Sequence, residues 1–194
     1  MIVLAGGIGS GKSVVARILR LKGFGVFDCD LEAKRLMEAD TALICKIKDI
    51  CGEESYLNGR LNRKAVSSKI FNDEVLRKSV NSVVHEAVRN AVNSWCKKDP
   101  RNIFVETAIA AESGLASMAD GVWLVTASPE TRLARVKIRD GRSEEDILKI
   151  MSAQQLEEEC LLRLPSKVTL IPNDPSDHIL SKINLLCSSL PYID

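Results

Sequence analysis

Residues 6–13 read Gly6-Gly7-Ile8-Gly9-Ser10-Gly11-Lys12-Ser13, the spacing G-x-x-x-x-G-K-[ST]. Ahead of them lies the apolar run Ile2-Val3-Leu4-Ala5, and behind them a helical pattern from Val14 to Leu21 that stops at Gly23. No other feature of the chain restricts its fold as much, because a buried strand must enter the glycine turn and a helix must leave it. At average residue usage, four specified positions match by chance in roughly one chain of this length in a hundred, and the flanking strand and helix lower that further. A loop of this kind gathers backbone N–H groups and the positive end of a helix dipole around phosphate. The residues expected to face a nucleotide are Gly7, Gly9, Ser10, Gly11, Lys12, Ser13 and Val14. Lys12 is expected to reach the β- and γ-phosphates, and the Ser13 hydroxyl to ligate Mg²⁺. The competing interpretation is a glycine turn that caps an ordinary helix.

Beyond the loop, strand and helix signals alternate. A second strand is expected at Gly25-Val26-Phe27-Asp28, and no further strand from Leu31 to about Lys98. That interval looks helical, with its clearest segments at 60–71 and 73–98. In the latter, Leu76, Val80, Val83, Val84, Ala87, Val88, Ala91 and Trp95 recur at helical spacing and mark one apolar face. Strand signals resume at Ile103-Phe104-Val105, Val122-Trp123-Leu124-Val125 and Val168-Thr169-Leu170-Ile171, with a short helix expected near Glu112. Ser128-Pro129 and the Ser143–Asp146 spacing read as helix starts, and a last helix is expected over 176–188. This order predicts an α/β fold: a parallel sheet of about five strands with helices on both faces, giving three layers. The expected division is a single domain with a core at 1–30 and 101–194, a helical lobe at about 31–100 and a lid at about 132–145.

Composition removes several classes. A net charge of +1 and an aromatic content of 4% offer neither a polyanion-binding field nor stacking platforms for nucleic acid. No apolar run approaches a membrane span, and the first apolar run is expected to be a structural strand, not a signal peptide. Six cysteines without a C-x-x-C pair, and only two histidines, fit reduced thiols in a cytoplasmic protein and give no histidine-based metal site.

Ligands of open α/β sheets bind beyond the carboxyl ends of the strands, which selects the remaining candidates. Asp28 and Asp30 lie at the end of the second strand, and period-two alternation puts both carboxylates on one side if the chain stays extended through Cys29. One could accept from an acceptor hydroxyl, and the other could hold Mg²⁺ through water; alternatively, Asp30 caps a helix that begins at Leu31. Arg132, Arg135 and Arg139 recur at helical spacing, followed by the polar turn Asp140-Gly141-Arg142-Ser143. Guanidinium groups matched to a γ-phosphoryl group stabilise its transfer, whereas the competing reading is a solvated basic helix face. Asn81, His85 and Arg89 succeed one another at i, i+4 and could grip a polar or phosphorylated acceptor, or His85 could be a partly buried structural residue. Glu106 ends an apolar strand like the acid of a Walker-B segment, and Glu112 follows it; either could touch the Mg²⁺ water shell or the acceptor.

These segments together resemble the dephospho-coenzyme A kinase family over nearly the whole chain. The Gly-Gly-Ile opening of the loop, Phe27-Asp28-Cys29-Asp30, Leu61-Asn62-Arg63 with Ile70-Phe71, and Ser128-Pro129-Glu130-Thr131 with Arg135 and Arg139-Asp140-Gly141 carry the likeness. The resemblance implies a P-loop kinase fold with a helical acceptor-binding insert and a lid, and transfer of the ATP γ-phosphate to the 3′-hydroxyl of dephospho-CoA. It implies that Asp30 is the catalytic aspartate, that Arg63, His85 and Glu112 meet the acceptor, and that Arg135, Gln154 and Asn173 lie near the nucleotide. ATP and dephospho-CoA are then the small-molecule partners, Mg²⁺ the metal, and the chain a monomer or weak homo-oligomer. Three positions depart from the pattern. Val14 replaces a threonine after Lys-Ser, Glu86 replaces the proline after His85, and Ala108-Ile109-Ala110-Ala111-Glu112 keeps the acid of Pro-Leu-Leu-Phe-Glu but thins its apolar wall. Rival readings are a kinase for a nucleoside monophosphate or sugar acid, and a nucleotide-binding regulator without turnover.

Overall fold

The computed structural model describes residues 1–164 and 167–190, apart from the side chain of Asn72. Two compact units divide it: residues 1–27 with 95–194, and residues 28–94.

The first unit is built on a five-stranded sheet. Its strands are β1 (Ile2–Ala5), β2 (Gly25–Asp28), β5 (Asn102–Glu106), β6 (Gly121–Thr126) and β7 (Val168–Pro172), in the order β2-β5-β1-β6-β7. β1 pairs in parallel with β5 and β6, and β6 with β7. Strands that form parallel pairs need crossover helices, and α1 (Lys12–Leu21), α6 (Leu115–Met118), α7 (Pro129–Asp140), α8 (Glu144–Leu162) and α9 (Ile179–Ser188) belong to this unit. Both faces of the central strands are buried. Leu4, Phe104, Trp123, Val125 and Ile171 pack with Val15, Ala16 and Leu19 of α1 and with Ile183 and Cys187 of α9. The residues of opposite parity, Val3, Val105, Val122 and Leu124, are buried as well. Phe104 anchors this core edge-on to Phe24, with ring centres 5.3 Å apart, and tilted against Trp123 at 4.9 Å.

β1 has β5 on one side and β6 on the other; the connection after β1 runs to β2 at one edge while that after its neighbour β5 runs to β6 on the opposite side, so the switch point lies between β1 and β5. That switch point puts the loop after β1 and the end of β5 side by side: Leu4 pairs with Glu106.

The second unit is mainly helical: α2 (Cys29–Ala39), α3 (Thr41–Cys51), α4 (Arg63–Asn72) and most of α5 (Glu74–Cys96). Cys51, Val66 and Val80 form its small core, with Ile50, Leu61, Ile70, Leu76 and Val84 packed around them. Asp40, Asn62 and Asp73 cap α3, α4 and α5 by accepting from the N–H groups of Leu43, Ala65 and Leu76.

Five local expectations are corrected. The interval after Leu31 does contain strands: β3 (Tyr56–Leu57) and β4 (Arg60–Leu61) form an antiparallel hairpin around Asn58-Gly59. Both turn residues have positive φ, 50° and 77°, the conformation that a two-residue hairpin turn needs and that Asn-Gly supplies. The following helix therefore starts at Arg63, not Arg60. The chain does not stay extended through Cys29, because α2 begins there; its cap is Asp28, whose Oδ1 accepts from the Leu31 N–H at 2.9 Å, while Asp30 sits in the first turn. Near Glu112 the chain forms turns, the short helix following at Leu115, and the last helix starts at Ile179 after a turn closed between Asp174 and Asp177.

Candidate active site

The phosphate loop is locked by its outer contacts. Its carbonyl groups are satisfied by side chains from elsewhere in the first unit: Arg132 Nε donates to Ile8 O at 2.9 Å, Arg135 Nη1 to Gly9 O and Ser10 O at 3.3 Å each, and Asn173 Nδ2 to Ser10 O at 2.8 Å. Gln154 Oε1 accepts from the Ile8 N–H at 2.7 Å. Among the described residues, the N–H groups of Gly9, Gly11, Lys12 and Ser13 have no protein acceptor. Four unpaired donors at the start of α1, with their carbonyl partners already occupied, make a preset anion site.

The glycines are required by close approach. A side chain at Gly7 would collide with the Arg132 guanidinium, and one at Gly11, where φ is 96°, with the Asn173 amide. At Gly9 a β-carbon would stand 2.6 Å from the carbonyl oxygen of Arg132. The loop is thus packed tightly against Arg132 near the start of α7 and against Glu158 in the second half of α8.

On the β5 side, Glu106 is 7% exposed and faces three partners. Ser13 Oγ donates to its Oε1 at 3.0 Å, Lys12 Nζ lies 3.6 Å from the same oxygen, and Arg20 Nη2 lies 4.0 Å from Oε2. With Ser13, Glu106 presents a pair of hard oxygen donors. Mg²⁺ suits that donor set. Among the described residues there is no cluster of three or more His, Cys, Asp or Glu side chains that could hold a metal by itself, so phosphate and water oxygens would complete the shell.

The arginines divide into two roles. Arg132 is buried, and its Nη1 pairs with Glu158 Oε1 at 3.0 Å, while Arg135 Nη2 also donates to Asn173 O at 2.7 Å. Both brace the loop from outside. Arg139, with its side chain 62% exposed, is held by Asp140 through two hydrogen bonds of 2.7 and 2.9 Å. That contact holds the Asp140 carboxyl below its ordinary range. Gly141 ends α7 in the left-handed conformation, and Ser143 caps α8, so the expected turn lies between two well-defined helix ends.

The other candidates are distributed as follows. The Val14 N–H is turned into α1, donating to Gly11 O at 2.9 Å, and its side chain is exposed. The Glu112 N–H donates to Glu157 Oε2 at 3.1 Å, and the Ala111 N–H to the other oxygen of Glu157. Burial raises the Glu157 carboxyl, an effect that the two N–H donors oppose. In the second unit, Asp30 is exposed on the first turn of α2, Arg63 opens α4 with Nη2 3.9 Å from Glu38, and His85 is half-buried on α5. The residues that sequence reasoning underweighted are Glu106, weighed only as one of two acids, and the braces Arg132, Glu157 and Glu158.

A phosphate loop at the switch point of a parallel sheet, with a Ser–Glu oxygen pair beside its lysine, defines a nucleotide-dependent phosphotransferase of the P-loop kinase class. The family model described as dephospho-CoA kinase matches residues 1–175. The chain belongs to that family. It is 34% identical to the dephospho-CoA kinase of Bacteroides fragilis over 158 residues, 80% of this chain and 77% of the relative. With that of Gloeobacter violaceus it shares 33% over 155 residues, 79% and 76% of the two chains. A solved Thermus thermophilus protein superposes with a TM-score of 0.79 at 31% identity, covering 97% of this chain and 96% of that one. Dephospho-CoA kinase from Campylobacter jejuni follows the same fold, with a TM-score of 0.67 at 21% identity and coverage of 96% and 94%. None of the described helices is long and apolar enough to cross a membrane.

Proposed function

We propose that the chain transfers the γ-phosphoryl group of ATP to the 3′-hydroxyl of dephospho-CoA, the last step of coenzyme A biosynthesis. The observation that carries this reading is the phosphate loop itself: carbonyls fixed outward by Arg132, Arg135 and Asn173, the amides of Gly9, Gly11, Lys12 and Ser13 without an acceptor among the described residues, and Lys12, Ser13 and Glu106 grouped at its end. Family membership supplies the acceptor.

The loop amides and Lys12 bind and orient the β- and γ-phosphates, so that the γ-phosphorus is presented in line. Ser13 and Glu106 would hold Mg²⁺, which when bound neutralises charge on the phosphate oxygens. Asp28 is a further carboxylate we assign to the metal's water shell, through the oxygen that its cap does not use. Asp30 orients the acceptor hydroxyl and takes its proton as the oxygen bonds to phosphorus; the bond to the bridging oxygen breaks and ADP leaves. Arg139 leaves Asp140 to meet the charge that spreads over the transferring group. Arg63, His85 and Glu112 are assigned to the acceptor. We place the enzyme in the cytoplasm as a monomer or weak homo-oligomer, in keeping with six cysteines of which none forms a disulfide.

The test is an ADP-release assay with dephospho-CoA, shikimate and nucleoside monophosphates as acceptors, with products weighed by mass spectrometry. The expected product is dephospho-CoA heavier by one phosphoryl group. ATP turnover without that product would overturn the assignment.

A further inference from the structure

Three side chains on one face of α8, at i, i+3 and i+4, tie down two different loops of the first unit. Gln154 accepts from the Ile8 N–H, and Glu158 holds Arg132, which in turn donates to the Ile8 carbonyl. The N–H and the carbonyl of Ile8, which belong to consecutive peptide units of the phosphate loop, thus both depend on α8. Between them, Glu157 accepts from the consecutive N–H groups of Ala111 and Glu112, 46 and 45 residues earlier in the chain. One carboxylate that takes two adjacent amides fixes the orientation of that turn, because each oxygen is committed to one donor. The side chain carried on the turn is that of Glu112, which is exposed.

We infer that Glu157 is a positioning residue for the acceptor: it sets the Ala111–Glu112 turn so that the Glu112 carboxylate meets dephospho-CoA, and it does so from the helix that also fixes the nucleotide loop. The inference rests on the function proposed above. Glu157 is assigned to neither substrate, since its oxygens are committed to the Ala111 and Glu112 amides. Its effect runs through Glu112, in contrast to Glu158, whose partner Arg132 belongs to the ATP side.

The test uses Glu157→Gln, Glu158→Gln, Glu112→Gln and the Glu112→Gln/Glu157→Gln double variant of the full chain. Glu157→Gln keeps one oxygen acceptor and loses the second and the charge. The KM for dephospho-CoA should rise about tenfold, while the affinity for ATP, read by titration calorimetry, should stay within about twofold. Amide hydrogen exchange at Ala111 and Glu112 should quicken. Glu158→Gln should show the reverse, with the larger loss on ATP. In the Glu112→Gln background, Glu157→Gln should add little to the KM, as expected if both lie on one route. If Glu157→Gln failed to fold, Glu157→Asp, which keeps the charge but is too short to serve both amides, carries the same measurements. An unchanged KM for dephospho-CoA, an equal loss on both substrates, or full additivity with Glu112→Gln would each overturn the inference. A wild-type enzyme that binds ATP but does not phosphorylate dephospho-CoA would overturn the proposed function, and this inference with it.

Discussion

Ser13 Oγ donates to Glu106 Oε1 across 3.0 Å, joining residues 93 apart in sequence. The sheet register causes the meeting: Leu4, two residues before the loop opens, pairs with Glu106 at the end of β5. The pair is the oxygen donor set we assign to Mg²⁺. Glu106→Gln keeps the shape and removes the charge. It should raise the Mg²⁺ concentration for half-maximal rate and lower kcat, each by at least about 10–100-fold, since the loss of even an outer-shell partner of a metal ligand costs that much. Rates measured over a Mg²⁺ titration check this; an unchanged Mg²⁺ dependence would mean that the metal is held elsewhere.

Lys12 lies 3.6 Å from Glu106 and its side chain is largely covered, yet it belongs to no apolar cluster. Lys12→Ala should therefore remove most turnover and leave the fold in place. The measurement is kcat beside a thermal melt. Activity within about twofold of wild type would sink the role given to the loop, since a preorganised cation at a transferring phosphoryl group contributes far more than that.

Much of this site is legible in the sequence, because a phosphate loop is a local object: strand, glycines, lysine and helix start are contiguous. The caps at Ser128 and Ser143 are legible for the same reason. The β3–β4 hairpin is not, because strands of two residues have no periodicity to detect; only Asn58-Gly59 hinted at it. The split among the arginines is equally hidden. Arg132, Arg135 and Arg139 look alike at helical spacing, and what separates them is contact with Ile8, Glu158 and Asn173, far away in the chain. The capping swap between Asp28 and Asp30 turns on where β2 stops, a boundary of one or two residues that propensity does not resolve.

Arg139 is mostly exposed and, among the described residues, paired only with its neighbour Asp140, so its removal should leave the fold unaffected. Arg139→Ala should lower kcat more than it weakens ATP binding, because the guanidinium is worth more to the phosphoryl group in transit than to the ground state. If only the KM for ATP rose, Arg139 would be a ground-state clamp.

Asp174 joins the end of β7 to the start of α7: the Ser128 N–H donates to both its oxygens, at 3.1 and 3.0 Å, and the Ser128 hydroxyl to Oδ1 at 2.8 Å. Hydrogen bonds from Thr131 and Ser128 hold its carboxyl below the ordinary value. A folded-state pKa below the unfolded one means that this stabilisation is complete above the unfolded value, about 3.9, and is lost as pH falls through the lowered folded value. Asp174→Asn should thus be less stable than wild type at pH 7, and the gap should narrow below about pH 4. Denaturant melts across that range decide it; a gap that stays constant with pH would show that the charge contributes nothing.

The two aspartates after β2 are separable because the structure gives them different local duties. Asp28 caps α2 through the Leu31 N–H, so Asp28→Ala should cost about 1 kcal/mol of stability, whereas Asp28→Asn should retain the cap. Asp30 is exposed in the first turn and accepts no capping bond from α2, so Asp30→Asn should leave the melt unchanged. Its proposed duty is chemical. A positioned general base typically contributes about 10²–10⁴-fold, and Asp30→Asn should lower kcat by roughly two orders of magnitude or more with little change in ATP affinity. Steady-state kinetics with dephospho-CoA, run beside a melt for each variant, tell the cases apart. Because capping already falls to Asp28, a slow Asp30→Asn enzyme with an unchanged melt could not be blamed on a frayed helix. A fully active Asp30→Asn enzyme would transfer the base to another carboxylate. Asp28→Asn, which keeps the helix capped, would be the next variant to assay.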